Sequence, residues 1–246
     1  MSSGYRFPVS PPMVVAHRGS HGAGSAPNSL AALGRALDLG LPCIEFDVNV
    51  LGDGGLILAH DDALDLDGVR RPLRLLSSGD VGTRTELEEG ARLPDALPLL
   101  REGESLLVLD WKPVGLEARI GEVMGLVDEH GLSGRTLVST GEVPALRAVR
   151  EASDRIGIGL TISTGDPPER REGWPELLDD LRPDAVMFDG RFAYTGRLPE
   201  MVDRARAREC GVFFWTARTD EEFTGLRDFG PDGIMSDAAE RHRGLS

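Results

Sequence analysis

Two histidines, an arginine, a lysine and three carboxylates stand where short apolar runs of this chain stop. His17-Arg18-Gly19 follows the run 13–16, Glu45 and Asp47 lie inside the run 43–48, and His60-Asp61 closes a short segment at 56–59. Imidazole titrates near neutral pH, so His17 and His60 suit general acid–base work. A lone strand-end histidine is ordinarily structural; two that bracket a carboxylate pair point to chemistry. Glu45 and Asp47 are two apart on a strand-like run, which turns both side chains to one face. Buried together they repel unless a proton or cation joins them, and an oxygen-liganded Mg²⁺ or Ca²⁺ is the natural partner. Arg18 offers a planar fork of donors and Lys112 a point charge, both suited to phosphate oxygens. Trp215 offers an apolar wall for a substrate, with core packing as the alternative. Together these groups could hold a metal and move protons around a phosphate.

Such residues must be brought together by the elements between them. Strand-like runs at 13–16, 43–48, 106–110, 136–139, 156–161, 185–188, 212–216 and 233–236 are short and apolar, as strands covered on both faces should be. Helix-like runs near 29–39, 94–101, 116–130, 142–152, 174–181, 197–209 and 219–229 alternate with them, with Pro94 and Pro144 near starts and Gly131, Gly211 and Gly230 after ends. This alternation predicts an α/β fold, a (β/α)8 TIM barrel, with a doubly wound sheet as the other option. The barrel is preferred because His17, Glu45, Asp47, Asp110, Ser139, Asp189, Trp215 and Asp237 all fall at or just past strand ends. A barrel gathers those ends on one face, where barrel active sites lie. Residues 49–93 are too long for an ordinary strand-to-helix loop. They are read as a short insertion after the second strand that folds over the mouth and carries His60, within a single domain of residues 1–246.

Composition narrows the partners. Hydrophobic residues make up 40% and charged residues 28%, so a sizeable core is available. The net charge of −14 argues against nucleic acid and stable membrane association. A small phosphate ligand stays compatible, because screening over roughly 8 Å lets a local cationic pocket dominate. Cys43 and Cys210 are too few and too far apart for a disulfide framework or zinc site and read as core residues. The leader MSSGYRFPVSPP lacks a signal-peptide pattern, and no run approaches a membrane span. A cytoplasmic protein is the expectation.

The order of motifs resembles the glycerophosphodiester phosphodiesterase family. His17-Arg18-Gly19, Ile44-Glu45-Phe46-Asp47-Val48, Asp53-Gly54 and His60-Asp61 carry the resemblance, which continues through Arg92-Leu93-Pro94-Asp95-Ala96-Leu97. Leu109-Asp110-Trp111-Lys112, Phe214-Trp215-Thr216 and Asp232-Gly233-Ile234-Met235-Ser236-Asp237 complete it. The resemblance implies a (β/α)8 barrel and a metal-dependent phosphodiesterase acting on a small phosphate-containing substrate. It implies His17 and His60 as the catalytic pair, one assisting the attacking oxygen and the other protonating the leaving alcohol. It further implies one divalent cation on Glu45, Asp47 and Asp110, with Arg18, Lys112 and Trp215 at the substrate. Asp237 matches a position read as a cap of the following helix. His21, in a Gly/Ser-rich loop, reads as a solvated residue, with substrate contact as the alternative.

Two departures keep other readings open. The family's Pro-Glu-Asn-Thr is here Ala26-Pro27-Asn28-Ser29, without the carboxylate, and its Glu-x-Lys is Asp110-Trp111-Lys112. A Glu/Asp/Asp set resembles that of the sphingomyelinase D-type phospholipases, which cyclise their substrates. A cyclising lyase, an enzyme acting on another phosphorylated or diphosphate metabolite, and a non-catalytic phosphate-binding barrel are therefore the alternatives.

Overall fold

In the computed structural model, which describes residues 12–22, 24–82, 86–113 and 116–245, eight parallel strands form a ring. They are β1 (Met13–Ala16), β2 (Cys43–Val50), β3 (Leu106–Trp111), β4 (Thr136–Thr140), β5 (Gly157–Ile162), β6 (Ala185–Asp189), β7 (Gly211–Ala217) and β8 (Gly233–Ser236). β1 closes the ring by pairing with β8 at Ala16↔Ser236 and with β2 at Ala16↔Ile44. Helices α1 (Leu30–Asp38), α2 (Leu93–Arg101), α3 (Ile120–Glu129), α4 (Val143–Ala152), α5 (Pro168–Leu181), α6 (Leu198–Arg206), α7 (Asp220–Arg227) and α8 (Ala239–His242) follow successive strands. This is the expected (β/α)8 barrel. The leader over residues 1–11 lies outside the described residues, and among those described no helix is long and apolar enough to cross a membrane.

Alternate residues of each strand serve two cores. Val14, Ala16, Ile44, Phe46, Leu107 and Leu109 pack outward with the helices. Met13, Val15, Cys43, Val108, Leu137, Met187, Phe213 and Met235 fill the barrel. Five of the inward series continue to a charged or titratable residue at the carboxyl end: Val15 to His17, Cys43 to Glu45 and Asp47, Val108 to Asp110, Met187 to Asp189, Met235 to Asp237. The register that buries the apolar plug therefore also delivers the polar groups to the mouth. Cys43 lies in the plug and Cys210 in the outer layer, both buried and free.

Between β2 and α2 the chain leaves the repeating pattern. Leu56–Ile57 doubles back antiparallel on the end of β2, and a hairpin of Ala63–Leu66 with Val69–Pro72 follows. Leu51, Ile57, Ala59, Leu64, Leu73, Leu76 and Val81 give this connection an apolar centre of its own; residues 83–85 of it lie outside the described residues. One helix differs from its sequence reading. α5 begins at Pro168 rather than at 174, because Glu169-Arg170-Arg171-Glu172 carries no apolar stripe to read. Arg170 anchors that turn instead, donating to the carbonyls of Gly141 and Thr161.

Candidate active site at the barrel mouth

The turn after β1 sets the first side of the site. Arg18 (φ 56°) and Gly19 (φ 80°) are both left-handed. A Cβ at Gly19 would lie 2.6 Å from the Ala32 backbone carbon, so glycine alone lets α1 approach this closely. The turn places the Arg18 backbone N–H as a donor to Glu45 Oε2 at 2.8 Å, and the Gly19 N–H as a donor to the Glu45 carbonyl at 3.1 Å. The guanidinium Nε of Arg18 meets Asp47 Oδ2 at 3.1 Å.

Glu45, Asp47 and Asp110 converge, each offering an oxygen within 4.8 Å of the others. Glu45 and Asp47 are each 1% exposed, so water cannot hydrate their charges. Lys112 Nζ bridges Asp110 Oδ2 at 2.6 Å and Asp47 Oδ1 at 2.9 Å. Burial, with the neighbouring Asp47 and Asp110 charges, pushes the Glu45 carboxyl well above its usual range. Burial would raise Asp47 too, but Lys112, Arg18 and the Asn28 hydrogen bond outweigh it and hold that group low. Asp47 Oδ1, despite its contact with Lys112, accepts no well-aligned hydrogen bond. With Glu45 also ionised, as a bound cation would favour, three carboxylates facing two cations leave one net negative charge in a largely buried pocket. A divalent ion would reverse it to one positive charge, the complement of a phosphodiester. All-oxygen donors at this spacing fit Mg²⁺ or Ca²⁺.

The two histidines approach from different elements. His17 extends the inward series of β1, with its side chain 14% exposed, and its Nδ1 lies 2.5 Å from Asp237 Oδ1. Burial lowers its pKa, partly offset by the Asp237 hydrogen bond. His60 comes from the connection after β2, is exposed, and pairs through Nδ1 with Asp61 Oδ1 at 2.8 Å. Asp61 is held in turn by Arg70 of the hairpin at 2.5 Å. Asp47 is common to both imidazoles: its charge acts on His17, and His60 acts on it. Trp215 donates its Nε1–H to the Met187 carbonyl at 3.1 Å and lines a cavity of about 610 Å³ with Arg191, Tyr194, Arg218 and Phe229.

Motif reading gives one residue here a different role and passes over another. Asp237 caps no helix; Ser236 Oγ accepts from the Ala238 N–H at 2.9 Å, while the Asp237 carboxylate meets His17. Glu89 belongs to a segment laid along the turn before α1, where the Ala26 N–H donates to the Leu87 carbonyl at 2.8 Å. Burial pushes the Glu89 carboxyl up, opposed by donation from the His60 backbone N–H and the Asn28 side chain and by the Arg18 charge. A carboxylate thus returns to the neighbourhood of Asn28 from a different part of the chain. Nothing in the spacing separates Glu89 from Glu86 and Glu88, which are exposed.

The family model for glycerophosphoryl diester phosphodiesterases matches residues 17–76 and 115–241. The chain belongs to that family. A glycerophosphodiester phosphodiesterase of Caldanaerobacter subterraneus subsp. tengcongensis is 27% identical over 244 residues, spanning 93% of this chain and 95% of that protein. Among solved structures, a phosphodiesterase of Oleispira antarctica in complex with the product sn-glycerol-3-phosphate aligns with a TM-score of 0.80 at 23% identity, over 95% of this chain and 96% of that one. A glycerophosphodiester phosphodiesterase of Parabacteroides distasonis aligns with a TM-score of 0.79 at 20% identity, over 95% and 96% of the two chains.

Proposed function

We propose that this phosphodiesterase hydrolyses a glycerophosphodiester using one divalent cation, Mg²⁺ or Ca²⁺, on Glu45, Asp47 and Asp110, with His17 and His60 as its proton-transfer pair. The observation that carries the reading is the convergence of the three carboxylates, two of them buried, with Arg18 and Lys112 at their edge. When bound, the ion supplies Lewis-acid polarisation of phosphate oxygens. Arg18 and Lys112 neutralise further charge on the substrate and orient it. One imidazole takes the proton of the attacking oxygen as it bonds to phosphorus. The other gives a proton to the departing alcohol oxygen as its bond to phosphorus breaks. An alcohol and a phosphomonoester result, in keeping with the sn-glycerol-3-phosphate product held by the Oleispira antarctica protein. Trp215 and the cavity beside it receive the alcohol portion.

A second reading follows from the Ala26-Pro27-Asn28-Ser29 turn, which lacks the usual carboxylate. With a tethered hydroxyl next to the phosphate, internal attack is favoured by proximity, and a cyclic phosphate forms before any hydrolysis. Phosphorus NMR of the purified protein with a panel of glycerophosphodiesters, with and without Mg²⁺ or Ca²⁺, tests both. Ion-dependent appearance of a monoester or cyclic phosphate supports the reading. Unchanged diesters across the panel, with the ion demonstrably bound, support a binding barrel instead.

A further inference from the structure

Asp237, the first residue beyond β8, stands beside His17 because β8 and β1 pair at Ser236 and Ala16. Its Oδ1 lies 2.5 Å from His17 Nδ1 and 3.7 Å from His21 Nε2, and its Oδ2 lies 3.7 Å from Arg218 Nε. One carboxylate therefore faces two imidazoles and a guanidinium, drawn from the turns after β1 and β7. We propose that Asp237 is a positioning residue for the reaction, holding His17 with its proton on Nδ1 so that Nε2 is the base that takes the proton of the attacking oxygen. This rests on the histidine-pair reading above and assigns the roles left open there: His17 is the base and His60 the acid.

The acceptor's chemistry dictates the tautomer. Burial would raise the Asp237 carboxyl, but the hydrogen bonds from His17 and His21 outweigh it and hold it far below the usual carboxylate range. An ionised carboxylate only accepts, so Nδ1 must donate. His17 Nε2 has no partner among the described residues and keeps its lone pair. The charges acting on His17 are those of Arg18, Asp237 and Asp47, and burial favours its neutral form. The ring is thus a free base before attack, and the imidazolium formed afterwards meets a fixed anion, the arrangement by which an aspartate orients a catalytic histidine elsewhere. In the step itself the O–H bond of the attacking group breaks, its proton goes to Nε2, and its oxygen bonds to phosphorus. The bond from phosphorus to the alcohol breaks as His60 delivers a proton to that oxygen. His60, exposed and held by Asp61, regains its proton from solvent, and His17 returns its own there.

Nitrogen-15 NMR of histidine-labelled wild-type protein reads the tautomer directly, the His17 signals being assigned by their loss in His17→Ala. The expected spectrum carries hydrogen on Nδ1 and none on Nε2. In Asp237→Asn the hydrogen should move to Nε2 and kcat should fall roughly 10²–10⁴-fold. KM should change little, and the acid limb of the pH profile should move to lower pH, because the charge that raises the His17 pKa is gone. Asp237→Glu should recover part of the rate. Hydrogen on Nε2 of wild-type His17 overturns the proposal even if the variants do not fold. So does a folded Asp237→Asn enzyme within about twofold of wild-type kcat and with an unmoved acid limb. A fully active His17→Ala protein would instead overturn the histidine-pair reading, and the spectrum of Asp237 at work on His17 would stand apart from that result.

Discussion

Asn28 holds Asp47 from two directions: its side-chain Nδ2 donates to Asp47 Oδ2 at 2.8 Å, and its Oδ1 accepts from the Asp47 backbone N–H at 3.1 Å. Asparagine suits the place because position 28 has φ 58°, a left-handed conformation it tolerates better than most residues. Asn28→Gly keeps that conformation accessible and removes both bonds. Affinity for Mg²⁺ or Ca²⁺, read by titration calorimetry on the intact protein, should fall roughly 10–100-fold, as for other residues that orient a metal ligand. An unchanged affinity would mean that Asp47 needs no such clamp, or that the ion binds elsewhere.

The histidines differ in setting but should matter alike. His17→Ala and His60→Ala are each expected to lower turnover roughly 10²–10⁴-fold while leaving the far-ultraviolet circular dichroism spectrum intact. Near-wild-type turnover by a folded double variant would remove both from the mechanism.

Product identity separates the two courses of reaction. Substrates with a hydroxyl next to the phosphate should release a cyclic phosphate detectable at early times if the altered turn at Ala26–Ser29 favours internal attack. Time-resolved phosphorus NMR settles it. Linear monoester from the first spectra, with authentic cyclic phosphate left untouched by the enzyme, points to direct attack by water.

Gly19 should be the least replaceable residue of the mouth. Gly19→Ala combines a left-handed backbone with a Cβ 2.6 Å from the Ala32 backbone, and a loss of about 2–4 kcal/mol is expected from strain and overpacking together. Urea unfolding with an unchanged slope and a lowered midpoint would report it. A loss under about 0.5 kcal/mol would show that α1 gives way freely.

Acid should loosen the ring where the eighth strand meets the first. His242 is fully buried, with Nδ1 2.7 Å from Ser236 Oγ, Nε2 3.0 Å from Asp220 Oδ1, and its ring 4.6 Å from Phe223. Burial lowers its pKa below the ordinary 6.5, with Asp220 opposing only in part. Below pH 6.5 the unfolded chain then binds more protons than the folded one, so stability falls as pH drops toward the folded value. His17 acts in the same direction. The urea midpoint of wild type should drop between about pH 7.5 and about pH 5.5, and His242→Gln should flatten that drop. Identical pH dependence in the two proteins would assign it to other groups.

Much of the barrel was legible because its signals are local. Apolar runs such as Cys43–Val50 mark strands buried on both faces, and period-two spacing already puts Glu45 and Asp47 on one side. The carboxylates and Lys112 could be read from strand ends, since a barrel must bring those ends together. Asp237 could not be assigned to His17 from spacing, because 220 positions separate them and only the β8–β1 pairing makes them neighbours. Glu89 was illegible for another reason: it comes from an irregular segment whose path is set by single backbone bonds, such as the Leu58 N–H to the Ala91 carbonyl at 2.7 Å. The first turn of α5 was hidden because Arg170 anchors it through backbone carbonyls rather than an apolar face.

Ring closure also orders events in time. Glu45, Asp47 and Asp110 belong to the second and third strands of the ring, whereas the partner of His17 comes directly after the eighth. A nascent chain stopped after β7 would hold the acidic cluster but leave β1 with an open edge and His17 without its anchor. The anchoring of His17 therefore waits until the eighth strand is seated against the first.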